Sequence, residues 1–209
     1  CPCDGRTQVV FGVGNAHADV MFIGEAPGFH EDKQGEPFVG AAGQLLTRML
    51  KEVLALGRED VYICNVLKCR PPGNRDPQDD EIESCTPWLV EQVSLIQPRV
   101  IVTLGNFATK FVLQTAQGIS RMRGHTYPWH GRTVIPTFHP AAILRQPDGE
   151  ARQAERDAWL RCWATCAGWA MPRRSCIAAW RRTSPPPRSS SPVAGVRSTS
   201  TLPSSSAVR

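Results

Sequence analysis

Several side chains in this sequence stand where their chemistry would be usable. Asn65 lies late in the apolar run Val61 to Leu67. Its amide presents one donor and one acceptor, enough to read a hydrogen-bonding edge, though such an amide also caps turns. His139 follows an apolar stretch and precedes Pro140. An imidazole there could donate to a developing negative charge or serve only structure. Phe38 follows Pro37 in a polar loop. Its ring could stack on a flat ligand or anchor the core. Glu25 and Glu31 are the nearby carboxylates. Either could orient a water or stabilise a cation, or simply accept hydrogen bonds from loop N–H groups.

The elements that must position these groups are short. Val20 to Ile23 is apolar and long enough for a buried strand. Gly24-Glu25-Ala26-Pro27-Gly28 follows and predicts a tight turn with outward N–H groups, which makes Gly24 and Ala26 part of any ligand cradle. A long polar loop then leads to a helix starting near Gly43. From Gln44 to Leu56, apolar residues at 45, 46, 49, 50, 53 and 54 mark one face of a helix, with Gly57 as its C′ residue. Val61 to Leu67 reads as a second buried strand, followed by a Pro/Gly/Arg-rich loop over 68–77. Asp79 to Ile96 reads as a helix with acids in its first turn. Arg99 to Leu104 is a third strand and Asn106 to Gln114 a helix. Residues 127–137 suggest a hairpin feeding the last strand. Alternating strands and helices predict an α/β fold with a parallel sheet covered on both faces and ligands bound beyond the strands' carboxyl ends.

Four motifs give a more specific indication. GEAPG (24–28), EDKQGEPFVG (31–40), ICNVLKCRPPGNR (63–75) and FHPAAIL (138–144) occur in the order and at the spacing of the family 4, iron–sulfur uracil-DNA glycosylases, which the chain resembles over roughly residues 6 to 147. The resemblance implies a three-layer α/β/α sandwich with a central four-stranded parallel sheet. It implies a monofunctional enzyme that flips uracil out of DNA and hydrolyses its N-glycosidic bond, leaving an abasic site. The motifs hold no obvious Lys nucleophile for lyase chemistry. Asn65 would then match uracil O4 and N3–H, Phe38 would stack on the base, and His139 would donate to O2 as charge gathers there. Glu31, or second to it Glu25, would orient water. Leu144 and Arg145 would wedge into the space that the base leaves. Arg70 and Arg75, with Lys68 and Arg123, could contact phosphates.

The chain has eight cysteines, which in a cytoplasmic setting point to metal or redox chemistry before disulfides. By the resemblance, Cys69 and Cys85 are ligands of a [4Fe–4S] cluster, which needs four thiolates. Cys1 and Cys3 are the candidates for the other two, although Cys-x-Cys is not the family's spacing and the start reads as truncated or rearranged. Zinc would accept the same set. Cys64 reads as a small buried hydrophobe.

Charge is unevenly distributed. Through Asp157 there are 16 basic and 19 acidic residues, whereas the remainder carries 8 Arg and no acid. Nucleic-acid binding by the body must therefore use local patches. Residues 171–209 hold ten Ser, seven Arg and six Pro, too little apolar matter for a core. We accordingly expect a catalytic domain over 1–160 and a tail over 161–209, either a frame-shifted extension or a basic tether. No apolar run reaches membrane-spanning length and no signal peptide is visible, so a cytoplasmic location is expected, and the resemblance implies a monomer acting on uracil-containing DNA. The competing reading is a non-catalytic, metal-stabilised nucleic-acid-binding module. A serine esterase lacks its G-x-S-x-G elbow here.

Overall fold

The computed structural model describes residues 5–145, together with 149, 153 and 157. Cys1, Cys3 and the tail, and with them the division at 160, lie outside the described residues. The elements in order are β1 (Val13–Gly14), β2 (Val20–Gly24), α1 (Phe29–Gln34), α2 (Ala41–Met49), β3 (Tyr62–Asn65), α3 (Asp79–Ile96), β4 (Val100–Leu104), α4 (Asn106–Leu113), α5 (Ile119–Met122), β5 (Tyr127–Trp129), β6 (Arg132–Thr137) and α6 (Pro140–Leu144).

The strands form one six-stranded mixed sheet in the order β1-β3-β2-β4-β6-β5. The sheet is wider than the four parallel strands expected, and mixed. The inner strands β3, β2, β4 and β6 run parallel, but β1 and β5 add antiparallel edges. The β5 edge arises locally, as a hairpin with β6, whereas two-residue β1 reaches across the intervening β2, α1 and α2 segment to pair with β3 through Val13 and Gly14.

Strand alternation divides the core. Val20, Phe22, Ile63, Val100, Val102 and Ile135 point to one face, which α2 and α6 cover. Met21, Ile23, Cys64, Ile101 and Val134 point to the other, under α3 and α4. Cys64 is fully buried among hydrophobes, as its setting predicts. β2 lies between β3 and β4 and is buried along its whole length, which explains its unbroken apolar run.

Three local expectations change. The loop after β2 contains α1, closed by Gly35 in the left-handed region at φ 78°. The helix over 44–56 begins earlier, at Ala41, and passes into a π-helical turn, Leu50–Leu54. Its left-handed terminus is Ala55 at φ 55°, while Gly57 is extended and starts the next turn. By contrast α3 spans the predicted residues. Its start is fixed by Glu81, whose carboxylate accepts from the Gln78 N–H at 2.9 Å.

Candidate active site

The carboxyl ends of the parallel strands open into one cleft of about 1200 Å³. Gly24 ends β2, Asn65 ends β3, Gly105 follows β4 and His139 follows β6. Four segments far apart in the chain thus meet at one sheet edge.

Asn65 is brought there by strand register, which pairs it with Gly24 on β2. It is 1% exposed and lines the cleft. Its Oδ1 is buried with no hydrogen-bond partner. A buried acceptor without a protein partner costs free energy, and a donor entering the cleft would relieve that cost. A Cβ at position 24 would collide with that Oδ1 and with the tip of the Phe38 ring. Gly24 therefore keeps the space in which amide and ring stand side by side.

Phe38 has a left-handed backbone, φ 56°, unusual for an aromatic. Its ring lies 5.5 Å from the His139 ring, tilted by 35°. Gly43, at the start of α2, presses against the Phe38 carbonyl so closely that no Cβ would fit. Charges hold the loop on two sides. Glu31 Oε1 accepts from the N–H groups of Val39 (2.9 Å) and Gly40 (2.8 Å). Arg58 donates to the carbonyls of Pro37 (2.7 Å) and Phe38 (3.1 Å).

His139 is the N-cap of α6, and its Nδ1 accepts from the Ala141 N–H at 3.2 Å. A neutral imidazole accepting at Nδ1 carries its proton on Nε2, which leaves that nitrogen as a donor. Burial, chiefly, and then the Arg145 charge push its pKa down to about 4, with Glu31 opposing in part. The ring is neutral at physiological pH and remains a donor.

The two carboxylates differ in their commitments. Glu31 spends an oxygen on the Phe38 loop. Glu25 lines the cleft, and burial followed by the charge of Asp76 raises its pKa above the ordinary 4.5. A carboxylate with raised pKa beside a cleft is a suitable proton acceptor. Ala26 lies between them on the cleft wall.

The cations are placed unequally. Arg145 is exposed on the cleft rim, its Nε donating to the Ala141 carbonyl at 3.1 Å, and half-buried Leu144 precedes it at the end of α6. Arg70 donates to Asn74 Oδ1 at 2.6 Å and lies 5.1 Å from the Phe29 ring centroid. Arg75 lines the cleft, but its guanidinium forks onto Glu81 at 2.8 and 2.9 Å. Arg123 lies over the Phe138 ring at 4.4 Å. Lys68 corrects the sequence reading: it is buried, not a surface cation, and donates to the Asn65 carbonyl at 2.8 Å and to Gln92 Oε1 at 2.6 Å. It braces the strand end that carries the amide.

Sequence reasoning missed two contributors. Asn106, Phe107 and Lys110 of α4 form a further wall of the cleft. Their signal was available, since 106, 107 and 110 share one helix face. Arg58, twenty residues from the carbonyls it holds, had no such signal.

Cys69 and Cys85 are both fully buried. Arg6 Nη1 lies 3.3 Å from Cys69 Sγ, and the Lys68 N–H lies 3.4 Å from Cys85 Sγ. Donors aimed at sulfur suit thiolates. The Val10 N–H bonds the Lys68 carbonyl at 2.7 Å, so the N-terminal segment runs beside this pair. Two of the four expected sulfurs thus lie among the described residues, each with a donor aimed at it. Cys1 and Cys3 themselves lie outside the described residues. Among the described residues no group of three or more metal-ligating side chains occurs.

Comparison with known proteins identifies the family that the chain is similar to. The model of the uracil DNA glycosylase superfamily matches residues 11–163. A type-4 uracil-DNA glycosylase of Archaeoglobus fulgidus is 52% identical over 150 residues, covering 68% of this chain and 75% of that protein. One from Sulfurisphaera tokodaii is 50% identical over 151 residues, covering 68% and 69%. One from Thermotoga maritima is 48% identical over 156 residues, covering 73% and 81%.

Proposed function

The chain belongs to the uracil DNA glycosylase superfamily, with type-4 enzymes among its relatives, and on that premise we propose that it excises uracil from DNA by hydrolysis at this cleft. The reaction is a step of DNA repair and leaves an abasic site.

Each demand of the reaction has a candidate group. A uracil inside a duplex is out of reach until its nucleotide is flipped into a pocket. Phe38 is 6% exposed and packs into the core, and the part of its ring that borders the cleft is the face we assign to stacking. The Asn65 amide offers an acceptor for N3–H and a donor for O4; cytosine presents the reverse pattern and leaves both unpaired. As the C1′–N1 bond breaks, its electron pair passes to the base and the sugar gains cationic character, as in other glycosidic cleavages. The Nε2–H of neutral His139 is the donor for O2, where the negative charge gathers. Donors preset in a partly dry site act strongly on such charge. Glu25 is the group we assign to the water that adds at C1′ and to the proton it loses. Glu31 also lines the cleft, but its Oε1 is committed to the N–H groups of the stacking loop. The observation that carries this reading is the partnerless, buried Oδ1 of Asn65 beside Phe38 and His139.

Cys69 and Cys85, with Cys1 and Cys3, would hold a [4Fe–4S] cluster or, with the same donor set, zinc. When bound, such a group supplies a cross-link through four thiolates. Cys69 adjoins Lys68 and Arg70 in the loop below Asn65, so fixing it steadies that strand end. Hydrolysis needs no redox step.

The test is base release from a uracil-containing oligonucleotide, with a thymine oligonucleotide as control, for the full chain and for His139→Ala. Uracil-specific release that collapses in the variant is expected. A folded parent chain that binds DNA and releases nothing would instead make this a binding module.

A further inference from the structure

The loop that presents Phe38 is held by opposite charges on its two sides. The carbonyls of residues 37 and 38 accept from the Arg58 guanidinium, at 2.7 and 3.1 Å, while the N–H groups of residues 39 and 40 donate to Glu31 Oε1. Arg58 Nη1 also reaches Thr47 Oγ1 on α2, at 3.5 Å. Between these contacts sits a residue whose side chain and backbone disagree. Phe38 adopts φ 56°, where an aromatic is strained by its own Cβ. Such a conformation persists only when its surroundings impose it. Glu31 holds the loop after Phe38, and Gly43 restricts its carbonyl from the α2 side. Arg58 donates from its side chain to both carbonyls that flank the strained φ. Its own setting favours this use, since it is half-buried with Glu36 and Glu31 as the nearby opposite charges.

We propose that Arg58 is a positioning residue for the stacking ring: its fork onto the Pro37 and Phe38 carbonyls holds Phe38 in the left-handed conformation that presents the ring beside Asn65 and His139. The proposal rests on the reading of Phe38 as the ring that receives the flipped base. It follows that Arg58 acts on the reaction only through Phe38, although it stands behind the loop.

A double-mutant cycle tests this. The saturating single-turnover rate of uracil release is measured for the parent, Arg58→Met, Phe38→Ala and the double variant, beside affinity for the same duplex with thymine in place of uracil. Arg58→Met is expected to lower the rate about tenfold or more, the loss of a substantial part of a base stack. In the Phe38→Ala background the same change should matter less than about twofold, because residues acting through one contact are not additive. Affinity for thymine DNA should be unchanged, and Arg58→Lys, which can reach one carbonyl, should recover part of the rate. If the two losses multiply, or if thymine-DNA affinity falls in step with the rate, Arg58 only supports the fold and the proposal is overturned. Should Arg58→Met not fold, the cycle is run with Arg58→Lys and Arg58→Gln. A parent chain that releases no uracil fails before any variant is compared; that outcome refutes the glycosylase reading, and the positioning role with it.

Discussion

Replacing Asn65 by Ala should make this protein more stable and less active at once. Asn65 is 1% exposed and its Oδ1 lacks a partner. An unsatisfied buried polar group costs about 1–3 kcal/mol. Alanine removes that cost, and the vacated volume opens onto the cleft, so no sealed cavity offsets the gain. The backbone carbonyl of residue 65 still accepts from Lys68 Nζ. At about 2–4 °C per kcal/mol for a domain of this size, Tm should rise by a few degrees. In the same variant the base loses the hydrogen bonds along its reading edge, and uracil release should fall by about a hundredfold or more. Thermal unfolding followed by circular dichroism and single-turnover release measure both effects on one sample. An Asn that merely capped a turn would behave oppositely, with a loss of about 0.5–2 kcal/mol on truncation and activity retained. A fall in Tm with unchanged release would therefore refute the reasoning.

Other perturbations probe the neighbouring groups. Gly24→Ala puts a methyl group into Asn65 Oδ1 and the Phe38 ring, so it should abolish uracil release while the strand still pairs through its backbone; a normal rate would show that the two side chains need not adjoin. Glu25 must be ionised to accept a proton, so the rate should fall as pH drops through its raised pKa, above 4.5, before His139 charges near pH 4. The pH profile of Glu25→Gln should be low and lack that limb; a limb that survives assigns it elsewhere. Folding shares a sign with this. The His139 pKa is depressed from 6.5 to about 4, so the unfolded chain binds the extra proton, and stability present above pH 6.5 is lost as pH falls toward 4. Cys69→Ser should lower bound iron or zinc, measured by elemental analysis, together with Tm; metal content equal to the parent's would exclude Cys69 as a ligand.

What could be read from the sequence was whatever had a local cause. The unbroken apolar run Val20 to Ile23 marks a strand buried on both faces, and β2 lies in the middle of the sheet. The acids at 79–81 mark the start of α3, because Glu81 caps it. Asn65, His139 and Phe38 were legible through their motif settings, and they do converge. What escaped depends on contacts distant in sequence. Lys68 looks like one more loop cation until Gln92 and the Asn65 carbonyl bury it. Arg75 looks available for phosphate until Glu81 takes its guanidinium. The left-handed φ of Phe38 leaves no mark on composition, and neither does the arginine that faces it. Gly57 was the natural helix terminator, yet the π-helical turn ends at Ala55, two residues sooner.

The pairing of Gly24 with Asn65 is a ladder position between two inner strands, not a loop contact. The spacing between the amide and the gap that admits the base is therefore set by the sheet's centre, whose opening requires near-global unfolding. The stacking ring and the carboxylates sit on the chain after β2, which can open at lower free energy. On heating, catalytic speed should fade before selectivity does. A warm, partly loosened molecule would become a slow enzyme and not a careless one, and a cell would be left with unrepaired uracil sooner than with cytosines removed in error.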